Sequence, residues 1–212
     1  MKYKAILFDL DGTLFDSIPI IMKSFREAFD LLGIDYDEAK VAKTIGIPLA
    51  AQAKLFAGER SEEFRERYRG IYRANQEKLA RLYPNTAEML GSLRAMGFAT
   101  ALVTSKASWA TMHALELTGI SDAFDVIVTA TDVANHKPHP EPILRALELL
   151  EIDPSDALFV GDSFFDIESA DAAEVDVVTV AWGACNHDEL LPKCPLGVFD
   201  SWQGFLSWLA PE

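Results

Sequence analysis

The chain has 212 residues, half of them hydrophobic and a quarter charged, enough for one large globular unit or a core with a modest insertion. Its formal charge of −14 argues against general nucleic-acid binding, which depends on Lys and Arg meeting phosphates. No stretch approaches the ~18 consecutive apolar residues of a membrane span, and the apolar run after the basic start stops at Asp9, too soon for a secretory signal. A cytoplasmic protein with no membrane partner is expected, its Cys185 and Cys194 being free thiols of a reducing compartment.

The first element is the run Ala5-Ile6-Leu7-Phe8, which continues into Asp9-Leu10-Asp11-Gly12-Thr13. It reads as a buried strand with both acids at its C-terminal end, two apart and so on one side of the extended chain. Gly12 stands where the backbone must turn sharply and leave room for a close approach. Two acids against an apolar strand are costly unless a cation or a chemical task holds them there.

Ile18, Ile21, Met22, Phe25, Phe29 and Leu32 then recur at helical spacing, with Gly33 as a stop. Phe64, Tyr68, Ile71, Tyr72 and Leu79 repeat the stripe, and shorter helical pieces lie between, broken at Gly46, Pro48 and Gly58. Residues 16–83 therefore read as an all-helical insert of four or five helices. This segment carries 12 basic and 11 acidic residues, against 7 and 22 in the remainder. Salt-bridged helix faces account for most of its arginines.

From residue 84 the pattern alternates. Helices are expected at 84–96, 106–117, 140–150 and 164–173, and strands at 98–103, 126–129, 157–160 and 177–180. Five short apolar strands alternating with helices imply an α/β fold with a parallel sheet covered on both faces. Residues 1–15 and 84–212 form its core, and 16–83 the inserted helical domain.

Polar residues cluster where these strands end: Asp9 and Asp11, then Thr104-Ser105-Lys106, then Gly161-Asp162-Ser163 with Asp166 four residues on. His136-Lys137-Pro138-His139-Pro140 falls between the third and fourth strands. Open parallel sheets bind ligands at the carboxyl ends of strands, where the strand order reverses, so these groups are expected to share a pocket. Four carboxylates beside one lysine imply a divalent cation, and oxygen-only ligands favour Mg2+ over zinc.

Asp9-Leu10-Asp11-Gly12-Thr13, Thr104, Lys137-Pro138 and Gly161-Asp162-Ser163-Phe164-Phe165-Asp166 stand in the order and spacing of the haloacid dehalogenase superfamily. Over essentially the whole chain, the sequence resembles its phosphoglycolate-phosphatase-like group. The resemblance implies a Rossmann-like core with a helical cap inserted after the first strand. It also implies a Mg2+-dependent phosphatase for a small phosphorylated metabolite, working as a monomer or homodimer. Asp9 would be the nucleophile that forms an aspartyl-phosphate, and Asp11 the general acid and then base. Asp162 would bind the metal with the Asp9 carboxylate and the Asp11 carbonyl, while Asp166 acts through a water or as outer support. Lys137 would hold the phosphoryl oxygens, with Thr104 and the Ser105 amide completing the cradle and Gly12 and Thr13 beside it. Lys43 and Gly46 are candidates for reading the substrate's remote end.

A carboxylate at residue 11 favours phosphate-ester chemistry over the dehalogenase and phosphonate-cleaving relatives, which lack one there. Thr13 leans away from the sugar-phosphate mutases, which often carry Val. Phosphoglycolate, a sugar phosphate and pyrophosphate all remain compatible as substrates, with a mutase as the alternative reaction. A receiver-like phosphoacceptor fits poorly, since receivers lack the long helical insert. Ser105 and Glu174 depart from the family pattern, where Asn and Gly are common. His136 and His139 are expected to be solvent-exposed, and Phe164-Phe165 to belong to the core rather than the site.

Overall fold

The computed structural model describes residues 2–193 and 195–210; Cys194 lies outside them, and Cys185 is a free, half-buried thiol. The run Ala5–Phe8 is β1, buried on both faces: Ile6 and Phe8 enter one apolar cluster, Ala5 and Leu7 the other. That two-sided burial is why the strand is apolar at every position rather than at alternate ones. It lies inside a six-stranded sheet of order β3-β2-β1-β4-β5-β6, all pairs parallel, with Ala5 opposite Ala99 on one side and Ala157 on the other. The other strands are β2 (Ala99–Val103), β3 (Val126–Val128), β4 (Ala157–Gly161), β5 (Asp176–Val180) and β6 (Val198–Phe199). The order reverses between β1 and β4, so the crevice that such sheets use for ligands opens beside the end of β1.

Between β1 and β2 come helices α1 (Ile18–Leu32), α2 (Glu38–Ala42), α3 (Leu49–Ala57), α4 (Ser61–Leu79) and α5 (Thr86–Ala95). The first four fall within residues 16–83. Phe25 and Phe29 of α1 meet Phe56 of α3 and Phe64 and Tyr68 of α4, with ring centroids 4.9 to 5.9 Å apart. Most arginines there do sit in exposed ion pairs, among them Arg26–Glu38, Arg60–Glu63, Arg65–Glu62 and Arg73–Glu77, each worth little to stability. The two linkers to the sheet run side by side: Asp16 N donates to Arg81 O, Tyr83 N to Leu14 O, and Phe15 bridges Leu82 antiparallel.

The remaining helices are α6 (Ser108–Thr118), α7 (Glu141–Leu150), α8 (Phe164–Ala172), α9 (His187–Leu190) and α10 (Trp202–Leu209). Two expected helices start late. Residues 104–107 instead form the loop after β2, where Lys106 N donates to the Thr104 hydroxyl and Ala130 N to Lys106 O. Asn85, in a left-handed conformation, delays α5. The pattern missed β6, two residues long, and the two helices around it. Of these, α10 buries Trp202 and Phe205 against Phe8 and Phe199.

Candidate active site

At the carboxyl end of β1, Asp9 N still pairs with Val160 O of β4, holding the residue in register beside the crevice. Its carboxylate joins those of Asp162 and Asp166 in a buried cluster whose ligand atoms all lie within 4.8 Å of one another. Asp162 follows β4 and is sheathed by backbone. A side chain at Gly12 or at Gly183 would collide with it, at 2.1 and 2.2 Å from its Oδ2. Thr13 Oγ1 donates to Asp162 Oδ1 at 3.0 Å and Ala184 N to its Oδ2 at 2.6 Å. Asp166 sits in the first turn of α8, where Asp162 N, Ser163 N and the Ser163 hydroxyl all donate to its Oδ2.

One cation faces these three acids. The Lys137 side chain is 1 % exposed, with Nζ 2.6 Å from Asp166 Oδ1 and 2.9 Å from Asp9 Oδ1. The second contact lacks hydrogen-bond geometry, so Asp9 Oδ1 remains a buried oxygen without a donor. Burial pushes the Asp9 carboxyl up to about 6 against the pull of Lys137, with Asp166 and Asp11 adding to the rise. Burial likewise drives Asp162 well above the usual carboxylate range, reinforced by Asp166 and Asp9. Burial opposes the charge of Lys137, yet Asp166 and Asp9 hold its ammonium above the ordinary lysine range. Three acids share one ammonium, an excess of carboxyl groups that the raised Asp9 and Asp162 reflect. The arrangement fits a hard divalent cation.

A cavity of about 350 Å³ opens above Asp9, between the carboxyl end of the sheet and helices α1, α3, α4 and α6. Asp9, Asp11, Thr104, Ser105 and Gly46 lie on its wall, whereas Lys137, Asp162 and Asp166, expected in the same pocket, are packed behind Asp9 and off the wall. Gly46 comes so close to Phe165 that a Cβ would stand 2.8 Å from the ring, while Phe164 packs into the core. Three expected substrate contacts fall elsewhere. Lys43 is exposed at the end of α2 and outside the cavity wall, because the short helix turns that end away. Thr13 is fully buried and spent on Asp162, and Gly12 N donates to Phe15 O while its Cα packs against Asp162.

His139 is exposed as expected, but His136 is half-buried on the cavity wall with Nδ1 unpartnered. The sequence reading also missed Lys106, whose ammonium lies 2.8 Å from both oxygens of Asp11, and Tyr72, whose hydroxyl is 2.6 Å from the same nitrogen. Arg65, Tyr68 and Arg69 of α4 and Gln52 of α3 are further cavity residues. Lys106 stood in a visible polar strand end. Tyr68 and Tyr72 were hidden in a stripe that reads simply as core.

A parallel sheet with its crevice at the first strand and a buried carboxylate–lysine cluster there is the architecture of an α/β enzyme. The model of the haloacid dehalogenase-like hydrolases matches residues 6–180, and the chain belongs to that family. A PpaX relative from Caldanaerobacter subterraneus is 36 % identical over 205 residues, covering 96 % of this chain and 93 % of its own. The pyrophosphatase PpaX of Bacillus pumilus is 34 % identical over 192 residues, covering 90 % and 89 %. Among solved structures, one described as a predicted phosphoglycolate phosphatase from Haemophilus somnus superposes with a TM-score of 0.85 at 28 % identity, covering 99 % of each chain.

Proposed function

We propose that this hydrolase is a Mg2+-dependent phosphatase that cleaves a small phosphorylated metabolite through an aspartyl-phosphate on Asp9. The observation that carries the reading is the convergence of Asp9, Asp162, Asp166 and Lys137 in one buried cluster beneath a cavity that also holds Asp11. A carboxylate oxygen of Asp9 attacks phosphorus as the bond to the ester oxygen breaks, and Asp11 gives that oxygen its proton. Asp11 then takes a proton from water as the water oxygen attacks phosphorus, releasing inorganic phosphate and restoring Asp9. Asp9, Asp162 and the Asp11 carbonyl would hold Mg2+, with Asp166 supporting through a water. The ion supplies neutralisation of phosphate charge. Lys137 orients the phosphoryl oxygens, with Thr104 and the Ser105 amide beside it. The helical insert, residues 16–83, serves as the cap over the sheet core.

Pyrophosphate is the second reading, favoured by the names of the relatives. The cavity weighs against it. Beyond Asp9 the wall carries Ile21, Ile45, Leu49 and Trp109, and two of its cations are already engaged, Lys106 by Asp11 and Arg65 by Glu62. An organic leaving group with some apolar surface suits such a wall better than a second phosphate.

Phosphate release from a panel of esters and pyrophosphate, with and without Mg2+, tests the proposal. Turnover is expected to require the ion, to need no bisphosphate activator, and to fall by at least about a thousandfold in Asp9→Asn. Full turnover in that variant would remove Asp9 as nucleophile, and dependence on a bisphosphate would favour a mutase.

A further inference from the structure

Lys106 makes a fixed contact that the phosphatase reading leaves without a task. Its ammonium lies 2.8 Å from each oxygen of Asp11 and 2.6 Å from the hydroxyl of Tyr72. The Lys106 side chain is 8 % exposed, and its nitrogen lies 4.6 Å from the Tyr72 ring centroid and 5.9 Å from that of Phe15. Both ends of this linkage are held. The Lys106 backbone is locked in the loop after β2 by Thr104 Oγ1 and Ala130 N. Tyr72, on α4, is 2 % exposed, stacks on Tyr68 at 5.6 Å and meets the edge of Trp109 at 6.3 Å.

Asp11 lies beyond the end of β1 and beside a glycine, and apart from Lys106 no protein donor reaches its carboxylate among the described residues. Proton transfer to a leaving oxygen requires the carboxyl within hydrogen-bond reach and correctly aimed, and a freely rotating side chain meets that condition only part of the time. We propose that Lys106 is a positioning residue for Asp11, anchored by Tyr72, so that a helix of the insert helps set the aim of the proton-transferring carboxylate. The proposal rests on the phosphatase reading and adds two residues to it, both on the cavity wall.

Leaving groups separate this role from a merely structural bridge. An alkyl phosphate needs a proton on its departing oxygen, whereas p-nitrophenyl phosphate departs as a stable phenolate. Both esters are to be assayed with wild type, Asp11→Asn, Lys106→Met, Lys106→Arg and Tyr72→Phe, each checked by circular dichroism and a thermal melt. In Lys106→Met we expect kcat/KM, which covers only the steps up to the aspartyl-phosphate, to fall about a hundredfold on the alkyl ester and only a few-fold on the aryl ester, following Asp11→Asn, while the shared water-attack step lowers kcat on both. Lys106→Arg should recover part of the loss. Tyr72→Phe, which removes one hydroxyl and leaves the packing, should show a smaller drop with the same preference. If Asp11→Asn discriminates between the esters and Lys106→Met and Tyr72→Phe do not, Lys106 is a structural bridge and the proposal is wrong. If Asp11→Asn itself fails to discriminate, the assigned role of Asp11 falls first and the proposal falls with it. Loss of turnover in Asp9→Asn tests the phosphatase reading independently.

Discussion

Gly12 shows how closely the residues around the acids are drawn in. Its φ of +86° and the 2.1 Å that would separate a Cβ from Asp162 Oδ2 leave no room for a side chain. The turn expected from the sequence is there, and it lets backbone lie directly against the Asp162 carboxylate. Gly12→Ala is therefore expected to displace Asp162 and weaken Mg2+ binding about 10- to 100-fold, as changes beside a ligand commonly do. Titration calorimetry with Mg2+ measures this, and unchanged affinity would show that Asp162 has room to move. Asp9, Asp162, Asp166 and Lys137 were legible in the sequence because each follows an apolar strand or stands in a motif of fixed spacing. Lys106, Tyr72 and His136 were not legible as site residues. Their roles depend on which helix face the insert presents to the sheet, and no local period encodes that. Lys43 failed for the same reason in reverse.

Helix ends tell a similar story at the scale of elements. Helices α1, α5, α6, α7 and α8 all close with a backbone N–H reaching back five residues: Ile34 to Phe29, Phe98 to Leu93, Ile120 to Leu115, Ile152 to Leu147 and Val175 to Ala170. That closure needs a left-handed residue just before the donor. Glycine takes the place at 33, 97 and 119, but glutamate holds it at 151 and 174, with φ of 56° and 57°. The departure seen at Glu174 thus keeps the turn and accepts the strain. Glu174→Gly should raise stability by about 0.5–1 kcal/mol, the relief of the left-handed backbone being partly offset by glycine's larger unfolded-state entropy. A higher urea midpoint at unchanged slope is the expected reading, and a lower midpoint would contradict it. Helices and central strands were legible because their apolar periods are long. The two-residue β6 offered no period to read, and elsewhere boundaries moved by one or two residues where loop hydrogen bonds competed.

For the molecule as a whole, the acid cluster is a cost to folding that a bound cation would remove. Without metal, Asp9 keeps its proton up to about pH 6, while the unfolded chain releases it near pH 4. The groups facing it are Lys137, Asp166, Asp11 and Asp162. Between those pH values the folded state binds more protons than the unfolded one. The metal-free protein should therefore lose stability as pH rises, by about 2–3 kcal/mol over the two units. Asp162, also raised, acts in the same direction. Above pH 6 a bound divalent cation would take the place of the protons. The gain in Tm on adding Mg2+ to chelator-treated protein is accordingly expected to be larger at pH 8 than at pH 5. Equal gains at both values would mean that the acids are not what the ion meets.

The paired linkers have a consequence for what this architecture can become. Leu14-Phe15-Asp16 and Arg81-Leu82-Tyr83 leave and rejoin the sheet as adjacent antiparallel strands, so whatever lies between them begins and ends at nearly one point. A segment grafted there need only bring its two ends to within one strand spacing, about 4.7–4.9 Å, to leave the threading of the sheet untouched. The sheet can thus be inherited whole while the helices between the linkers are exchanged, without relearning how to fold.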